Sequence, residues 1–319
     1  MSTYMYRSAG RRPVATPRPI AAARIALAAA IAVALSSACA TGRSADAGAD
    51  AIAPLAPAVR PAEYGPRPLR VGHRGAAGLA PQNTMAAFRA GIAAGVDAVE
   101  LDVHLSADGR LVVIHDPAVN AATDGKGRVS AMSLAELRAL DASARFTGWA
   151  GEAQRIPTLE EVLDLLAEPG NERIGLQLEI KLDDDGSRHP GIEAAAMAAL
   201  RERGLVDRTI VISFDFTTLA AVKALEPRIR AGALVGKAWF KAASGSRADQ
   251  AAAIAASGAD CAGVDYRYLS RELYDALRAA GLGVGAWTVD DPAVMKALSS
   301  LGVDFITSNR PDLLAAALP

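Results

Sequence analysis

Side chains that can bind a metal ion or transfer a proton stand at the ends of short apolar runs in two parts of the chain. They are His73, Arg74, Glu100, Asp102 and His115, followed later by Glu179 and Lys181. Successive side chains of a β-strand point to opposite faces, so Glu100 and Asp102 share one face. Two buried carboxylates side by side are costly unless a proton or a cation neutralises them, and a hard divalent ion suits them. With two imidazoles nearby, this set indicates metal-assisted cleavage of a phosphodiester.

Eight apolar runs alternate with eight helix-like segments from Leu69 to the end of the chain, and these elements must position the reactive residues. The predicted strands cover 69–72, 98–103, 174–181, 209–213, 229–234, 261–264, 283–287 and 305–307. The predicted helices cover 84–94, 159–166, 192–203, 216–225, 247–257, 271–280, 292–301 and 311–317. Right-handed crossovers place a helix between neighbouring parallel strands, so the alternation predicts a parallel sheet.

The fold class predicted from this pattern is α/β, as a (β/α)8 barrel with a small insertion after the second strand. The 251 residues from Leu69 onward match the size of about 250 residues that is typical of such barrels. A doubly wound open sheet is the alternative. In either fold, ligands gather beyond the carboxyl ends of the strands, which is where the reactive side chains fall.

The predicted insertion covers about 104–157. It opens with a turn at Ser106-Ala107-Asp108-Gly109-Arg110, which predicts a hairpin returning through 111–114 to His115. A short helix is predicted at 133–140. We expect this segment to stand over the mouth of the barrel and to supply substrate contacts or a lid.

Composition limits the classes of protein to which the chain can belong. With 51% hydrophobic and 22% charged residues it is an ordinary globular sequence, and we expect one domain. All five cations before Cys39 are arginines, and without them the formal charge of -1 becomes -6. A mildly acidic body offers no electrostatic footprint for nucleic acid. Two cysteines give no disulfide framework, and no protein partner can be inferred.

The first 38 residues have the form of a secretory signal peptide, with an arginine-containing start, an apolar run and small residues before Cys39. The run from Ile25 to Leu35 is too short to span a bilayer. Export is therefore predicted, to the periplasm or to a membrane surface. Residues 39–68 are rich in alanine and proline and are predicted to be a flexible linker.

Two cleavage patterns compete at the end of this signal. Ser36-Ser37-Ala38-Cys39 resembles the lipobox of bacterial lipoproteins, in which the cysteine is lipid-modified, although the aliphatic Leu35 lies one place too early. Ala38-Cys39-Ala40 also satisfies the small-x-small rule of ordinary signal peptidase. Membrane anchoring through a lipidated Cys39 and release as a free periplasmic protein both remain open.

The chain resembles the glycerophosphodiester phosphodiesterase family in five ordered motifs over 69–319. These are an HRG motif at 73–75, the E-N-T motif as Gln82-Asn83-Thr84, E-x-D at 100–102, H-D at 115–116 and E-x-K at 179–181. Trp287-Thr288-Val289 and Asn309-Arg310-Pro311-Asp312 extend the likeness toward the end of the chain. The resemblance implies a family domain with the barrel fold from 69 to 319.

The resemblance also implies roles for individual residues. Glu100, Asp102 and Glu179 would be the metal ligands, for a calcium or magnesium ion. His73 and His115 would be the acid/base pair. Arg74 and Lys181 would bind the phosphate, and Phe214 and Trp287 would form an apolar wall beside the glycerol. The sequence does not say which histidine is the acid and which is the base.

Several other residues depart from this pattern or have simpler explanations. Gln82 stands where the family usually has glutamate, so a charge is lost while hydrogen bonding remains. His104 and His189 lie in a hairpin and in a charged loop, and both are expected to be exposed to solvent. Asp215 and Asp290 follow strands, and helix capping explains them.

These features predict metal-dependent hydrolysis of glycerophosphodiesters to sn-glycerol 3-phosphate and an alcohol. The resemblance also allows a route through a cyclic phosphate, formed by attack of the substrate's own 2-hydroxyl. Cleavage of lysophospholipid or sphingolipid head groups on the same scaffold is one alternative. A noncatalytic lipoprotein that binds glycerophosphodiesters is another, although binding alone needs no pair of histidines.

Overall fold

The computed structural model describes residues 66–319. The predicted signal peptide, most of the predicted linker and Cys39 lie outside the described residues, so the expectations about them stay predictions. Within 66–319, no helix is both long enough and apolar enough to cross a bilayer.

In the described residues nine strands form one sheet, and eight of them are parallel and close into a ring. The strands are β1 Leu69–Gly72, β2 Ala98–Leu105, β3 Leu111–Val113, β4 Gly175–Ile180, β5 Thr209–Ser213, β6 Arg230–Val235, β7 Cys261–Asp265, β8 Gly283–Trp287 and β9 Phe305–Ser308. Each barrel strand pairs in parallel with its neighbours, and β1 closes the ring by pairing with both β2 and β9. The predicted (β/α)8 barrel is confirmed.

Helices fill the connections between the barrel strands. They are α1 Met85–Ala93, α2 Leu134–Arg138, α3 Leu159–Ala167, α4 Ile192–Glu202, α5 Phe216–Leu225, α6 Lys237–Ala242, α7 Arg247–Ala255, α8 Arg271–Ala279, α9 Pro292–Leu301 and α10 Pro311–Ala317. Side-chain caps start several of them, including Thr84 on α1 and Asp215 on α5. The sequence did not predict α6, because its six residues include no buried position and therefore give no apolar period.

The barrel interior is filled by alternate residues of the strands, as period-two geometry requires. Its apolar layers are made by Leu69, Val71, Ala98, Ile210, Ile212, Leu234, Cys261 and Phe305. The outward-facing residues of the strands pack against the helices in two larger clusters. On β2, Ala98 belongs to the interior, so Glu100 and Asp102 face inward above it, at the carboxyl end of the barrel.

The insertion after β2 folds against the barrel with a small core of its own. The antiparallel pairing of β2 with β3 confirms the predicted hairpin. Behind it lies an apolar cluster of Val112, Ile114, Val119, Val129, Leu137, Ala142 and Ile156. This packing anchors His115, which directly follows the buried Ile114.

Glycine at position 285 makes room for an aromatic ring inside the barrel. A Cβ atom at Gly285 would overlap the ring of Phe305 on the neighbouring strand. We therefore expect Gly285→Ala to lower the free energy of unfolding by about 1–3 kcal/mol, measured by chemical denaturation. Gly175→Ala is the matched control, because its nearest neighbour would be the Arg208 carbonyl oxygen at 3.3 Å. Adding Phe305→Leu to Gly285→Ala should restore stability; if it does not, overlap with the ring is not the cause.

Candidate active site

Three carboxylates converge at the carboxyl end of the barrel. Glu100, Asp102 and Glu179 each offer an oxygen within 4.8 Å of the others, and all three side chains are buried. The parallel register of β2 and β4 sets Asp102 directly beside Glu179. Two adjacent strands therefore bring together the acidic residues that the sequence predicts to be metal ligands.

The turn after β1 is shaped to hold these carboxylates. Arg74 and Asn83 both have left-handed backbone conformations, with φ angles of 49° and 56°. In this conformation the backbone N–H of Arg74 donates to Glu100 Oε2 at 2.6 Å, and Asn83 Nδ2 donates to Asp102 Oδ2 at 2.7 Å. Residues other than glycine adopt such angles at a cost, and the two hydrogen bonds offset it.

Two cations partly balance the negative charge. The ammonium of Lys181 lies 2.6 Å from Glu179 Oε1 and 3.0 Å from Asp102 Oδ1. Arg74 Nε lies 3.7 Å from Asp102 Oδ2. The two predicted phosphate-binding residues therefore sit at the carboxylate cluster and can neutralise it as well as bind an anion.

Lys181 and Arg74 do not fully neutralise the three carboxylates, as the carboxyl pKa values show. Burial, together with the charges of Asp102 and Glu179, raises the pKa of Glu100 well above its usual range. Burial also raises the pKa of Glu179 to about 7, against the opposing effect of Lys181. For Asp102 the attraction of Lys181, His115 and Arg74 overcomes burial and lowers the pKa. Two of the three acids thus tend to hold protons, which is the signature of a site short of positive charge.

These residues fit a hard divalent cation. Oxygen atoms are the ligands that calcium and magnesium prefer, and each of the three carboxylates supplies one. Asp102 Oδ1 is buried and accepts no hydrogen bond, although the Lys181 ammonium is close to it. A divalent ion would give that oxygen a partner and would remove the charge deficit.

His73 stands at the end of β1 and is held from behind. Its Nδ1 lies 2.6 Å from Asn309 Oδ1, and Asn309 Nδ2 donates to Asp290 Oδ2 at 2.8 Å. The other ring nitrogen, Nε2, lies 4.0 Å from Glu100 Oε2, on the side of the carboxylates. Burial and the charge of Arg74 lower the pKa of His73 to about 4. The ring is therefore neutral at neutral pH.

His115 lies across the same cavity, on the insertion. Its Nδ1 is 2.7 Å from Asp116 Oδ1, a carboxylate that is partly exposed. Burial lowers the pKa of His115, while Asp102 and Asp116 act in the opposite direction. The two histidines thus differ in their partners, a neutral amide for His73 and a carboxylate for His115.

An open cavity of about 530 Å³ joins the carboxylates and the histidines to an apolar wall. Phe214 and Trp287 form that wall, with ring centroids 5.6 Å apart in an edge-to-face arrangement. Phe214 is 49% exposed, so barrel packing does not explain it. Gln177 and Thr307 add polar groups to the lining. The cavity has one charged end and one apolar end.

The family of the chain follows from comparison with known proteins. The sequence profile described as the Glycerophosphoryl diester phosphodiesterase family matches residues 73–313. The chain belongs to this family. It is accordingly a phosphoric diester hydrolase. A glycerophosphodiester phosphodiesterase of Caldanaerobacter subterraneus subsp. tengcongensis is 34% identical over 251 residues, which cover 77% of this chain and 96% of the relative.

Solved structures of family members have the same barrel. A phosphodiesterase of Oleispira antarctica, in complex with the product sn-glycerol-3-phosphate, superposes with a TM-score of 0.67 at 29% identity and covers 80% of this chain and 98% of that one. A glycerophosphodiester phosphodiesterase of Agrobacterium tumefaciens gives a TM-score of 0.63 at 31% identity, and the match covers 77% of this chain and 98% of that one. The fold of this family domain is therefore shared along nearly the whole length of those relatives.

The sequence missed residues that hold the predicted site side chains in place. Asn309 and Asn83 both lie in motifs that resemble those of the family. Their place in these motifs was the sequence signal that could have indicated a role. Asp290 supports Asn309 and does not cap a helix, since Asp291 caps α9. Asp215 caps α5, as expected. Gln82 accepts a hydrogen bond from Arg74 Nη1, so its amide does orient a neighbour.

The expectation that His104 and His189 are exposed is wrong. His104 has no exposed surface and His189 is only 6% exposed. Both rings are buried between the insertion and the loop after β4, where they contact each other. Loop positions are exposed on average, but an insertion with its own core buries some of them.

Metal affinity should depend on pH because protons and the ion compete for the same oxygens. The raised pKa values of Glu100 and Glu179 mean that protons occupy oxygens that the ion needs, and Glu179 takes up its proton as the pH falls through about 7. We expect calcium or magnesium affinity, measured by titration calorimetry, to fall between about pH 8 and about pH 6, with protons released on binding. Affinity that is constant across this range contradicts the assignment.

A matched pair of variants locates the effect. Glu179→Gln should weaken binding at every pH and reduce proton release, since it removes one ligand oxygen's charge. Glu193→Gln removes another buried carboxylate, which pairs with Arg188 away from the cavity, and should bind the ion as the unmodified protein does.

Proposed function

We propose that this protein hydrolyses glycerophosphodiesters to sn-glycerol 3-phosphate and an alcohol, with a divalent metal ion and two histidines as acid and base. The observation that carries the proposal is a cluster of three carboxylates, two of which line one cavity together with two imidazoles and two cations. Family membership supports the reaction, and the product-bound relative supports sn-glycerol 3-phosphate as the phosphate-containing product.

Calcium or magnesium is the proposed ion, held by Glu100, Asp102 and Glu179. When bound, it supplies charge that polarises the phosphoryl oxygens of the substrate. Arg74 presents a planar guanidinium for two phosphate oxygens, and Gln82 fixes its orientation through a hydrogen bond. Lys181 adds a point charge on the same face. Together these groups would hold the phosphate and stabilise negative charge as the bond to the alcohol breaks.

His73 is proposed as the general base because of where its proton lies. A carboxylate only accepts hydrogen bonds, so Asn309 must turn Nδ2 toward Asp290 and Oδ1 toward His73. His73 then carries its proton on Nδ1, which leaves Nε2 as the acceptor on the cavity side. A neutral ring with this tautomer can take a proton from water or from the glycerol 2-hydroxyl.

His115 is proposed as the general acid because of the charge beside it. The carboxylate of Asp116 accepts from Nδ1 and favours the protonated ring. A bound phosphodiester would add a second negative charge, which also opposes the lowering of the His115 pKa by burial. Protonated His115 can then donate from Nε2 to the departing alkoxide, which separates its role from that of His73.

The apolar wall of Phe214 and Trp287 is proposed to contact the carbon atoms of the glycerol. The exposed ring of Phe214 could equally hold the first methylene groups of an acyl chain, which keeps lysophospholipids as the second candidate substrate. Comparing turnover of glycerophosphocholine with that of lysophosphatidylcholine decides between them. A noncatalytic binding role requires that neither substrate be cleaved.

Export is proposed as well, to the periplasm or to a membrane through a lipidated Cys39. If Cys39 is acylated, cells fed labelled palmitate should yield labelled protein in the membrane fraction, and Cys39→Ser should abolish the label. A labelled Cys39→Ser protein, or an unlabelled parent protein found in the soluble fraction, contradicts lipidation. The second of these outcomes would support cleavage by ordinary signal peptidase.

Leaving-group chemistry tests the two histidine roles. Glycerophosphocholine releases an alkoxide that needs a proton, whereas the p-nitrophenyl ester of glycerol 3-phosphate releases a stable phenolate. His73→Gln should lower kcat for both substrates by about 10²–10⁴-fold, since the base acts in either case. His115→Gln should lower kcat by a similar factor for glycerophosphocholine and leave the p-nitrophenyl ester much less affected. Chelator should abolish both activities.

The outcomes are separable by product analysis. Release of sn-glycerol 3-phosphate is measured enzymatically, and a cyclic phosphate is detected by phosphorus NMR. Equal losses on both substrates in His115→Gln refute its role as the acid, and full activity in His73→Gln refutes that residue as the base.

A further inference from the structure

Two histidines outside the cavity form a buried pair next to it. His104 Nδ1 lies 3.0 Å from His189 Nε2, and the rings meet edge to face with centroids 5.2 Å apart. His104 Nε2 lies 3.2 Å from the backbone carbonyl oxygen of His115. An unbroken chain of hydrogen bonds therefore runs from His189 through His104 to His115.

The positions of the protons in this chain follow from its last acceptor. A carbonyl oxygen can only accept, so His104 must carry its proton on Nε2. The His104 ring is fully buried and neither of its hydrogen-bond partners is a carboxylate, so the ring is neutral and its Nδ1 is an acceptor. His189 must then donate from Nε2. The hydrogen bonds therefore run in one direction: His189 donates to His104, and His104 donates to the carbonyl oxygen of His115.

The pair connects two segments that carry site residues. His104 extends β2 by one step beyond Asp102 on the same face, and it lies opposite Val112 of the hairpin. His189 ends the loop that follows Lys181, where Leu182 and Arg188 form an antiparallel bridge. The insertion and this loop also meet at the surface, through Arg128 with Asp183 and Asp184 at 3.0 and 2.7 Å.

His115 needs such support because its own side chain has little. The ring is about one-third exposed, and its Asp116 partner is 39% exposed to solvent. Surface contacts of that kind hold a side chain weakly. The backbone of His115, in contrast, is fixed by a buried donor, and a shift of about 1 Å in a reacting group can cost about 100-fold in rate.

We propose that His104 and His189 are positioning residues for His115. Their hydrogen bonds set the backbone of His115 and thereby aim its Nε2 at the leaving oxygen of the substrate, without touching the substrate themselves. The proposal rests on the proposed function, in which His115 is the acid. On this proposal, two residues outside the cavity influence how well His115 protonates the leaving group.

The decisive variants keep or remove the polarity of His104. Glutamine can donate from its Nε2 to the His115 carbonyl and accept at Oε1 from His189, so His104→Gln retains both bonds. Leucine can do neither. His104→Leu should lower kcat for glycerophosphocholine by about tenfold or more and change kcat for the p-nitrophenyl ester by less than about twofold. His104→Gln should stay within about twofold of the parent protein on both substrates.

Two further variants separate positioning from folding. His189→Leu removes the first donor in the chain and should give the same selective loss, smaller in size. Thr123→Val removes a buried hydrogen bond from Thr123 to the Val119 carbonyl in the same insertion, away from His115. It should affect the two substrates equally or not at all. Activity on the p-nitrophenyl ester also reports that each variant is folded.

Each result decides the proposal. Selective loss in His104→Leu with recovery in His104→Gln supports positioning. Equal losses on both substrates, or no loss, overturn it and leave the pair as a structural contact. His115→Gln is run in parallel: if that variant shows no leaving-group selectivity, the proposed acid role itself has failed. If His115→Gln shows leaving-group selectivity and His104→Leu does not, only the positioning role has failed.

Discussion

The constraint that shapes this structure is the repulsion among three buried carboxylates at the mouth of the barrel. Asp102 and Glu179 are forced together by the register of β2 with β4, and Glu100 faces the same space from one step below. Lys181 and Arg74 supply positive charge, yet burial still raises the pKa of two of the acids. A fold keeps such a deficit only if something else provides the missing charge, which is why the cluster indicates a cation.

The cavity is asymmetric as well as charged. The charged residues come from the strands on one side, while the opposite side carries glycines that leave space for large apolar side chains. A Cβ atom at Gly263 would crowd Leu234, and one at Gly285 would overlap Phe305. The result is a charged end next to an apolar wall. That shape suits a molecule with an anionic phosphate joined to a short carbon skeleton.

Much of this arrangement could be predicted from residue types and spacing. The alternation of strands and helices gave the barrel, and period-two geometry put Glu100 and Asp102 on one face. The prediction that failed was the solvent exposure of His104 and His189. His104 continues the inward-facing series of Ala98, Glu100 and Asp102, so strand parity was a signal that its side chain points inward. The role of Asn309 behind His73 depends on a contact across 236 positions of the chain, and no local pattern contains it.

The two histidines proposed as base and acid show why such contacts matter more than the residue type. Both rings direct Nδ1 to an acceptor and are lowered in pKa by burial, so their own surroundings make them similar. Their partners make them different. An amide oriented by Asp290 ties His73 to the end of β9 without adding a charge, whereas the Asp116 carboxylate favours a charged His115 on the inserted segment. In the proposed mechanism the base therefore belongs to the barrel, and the acid belongs to the part of the chain that differs most from a plain barrel. On that proposal, changes in the insertion would adjust protonation of different alcohols while the proposed metal and phosphate ligands stay as they are.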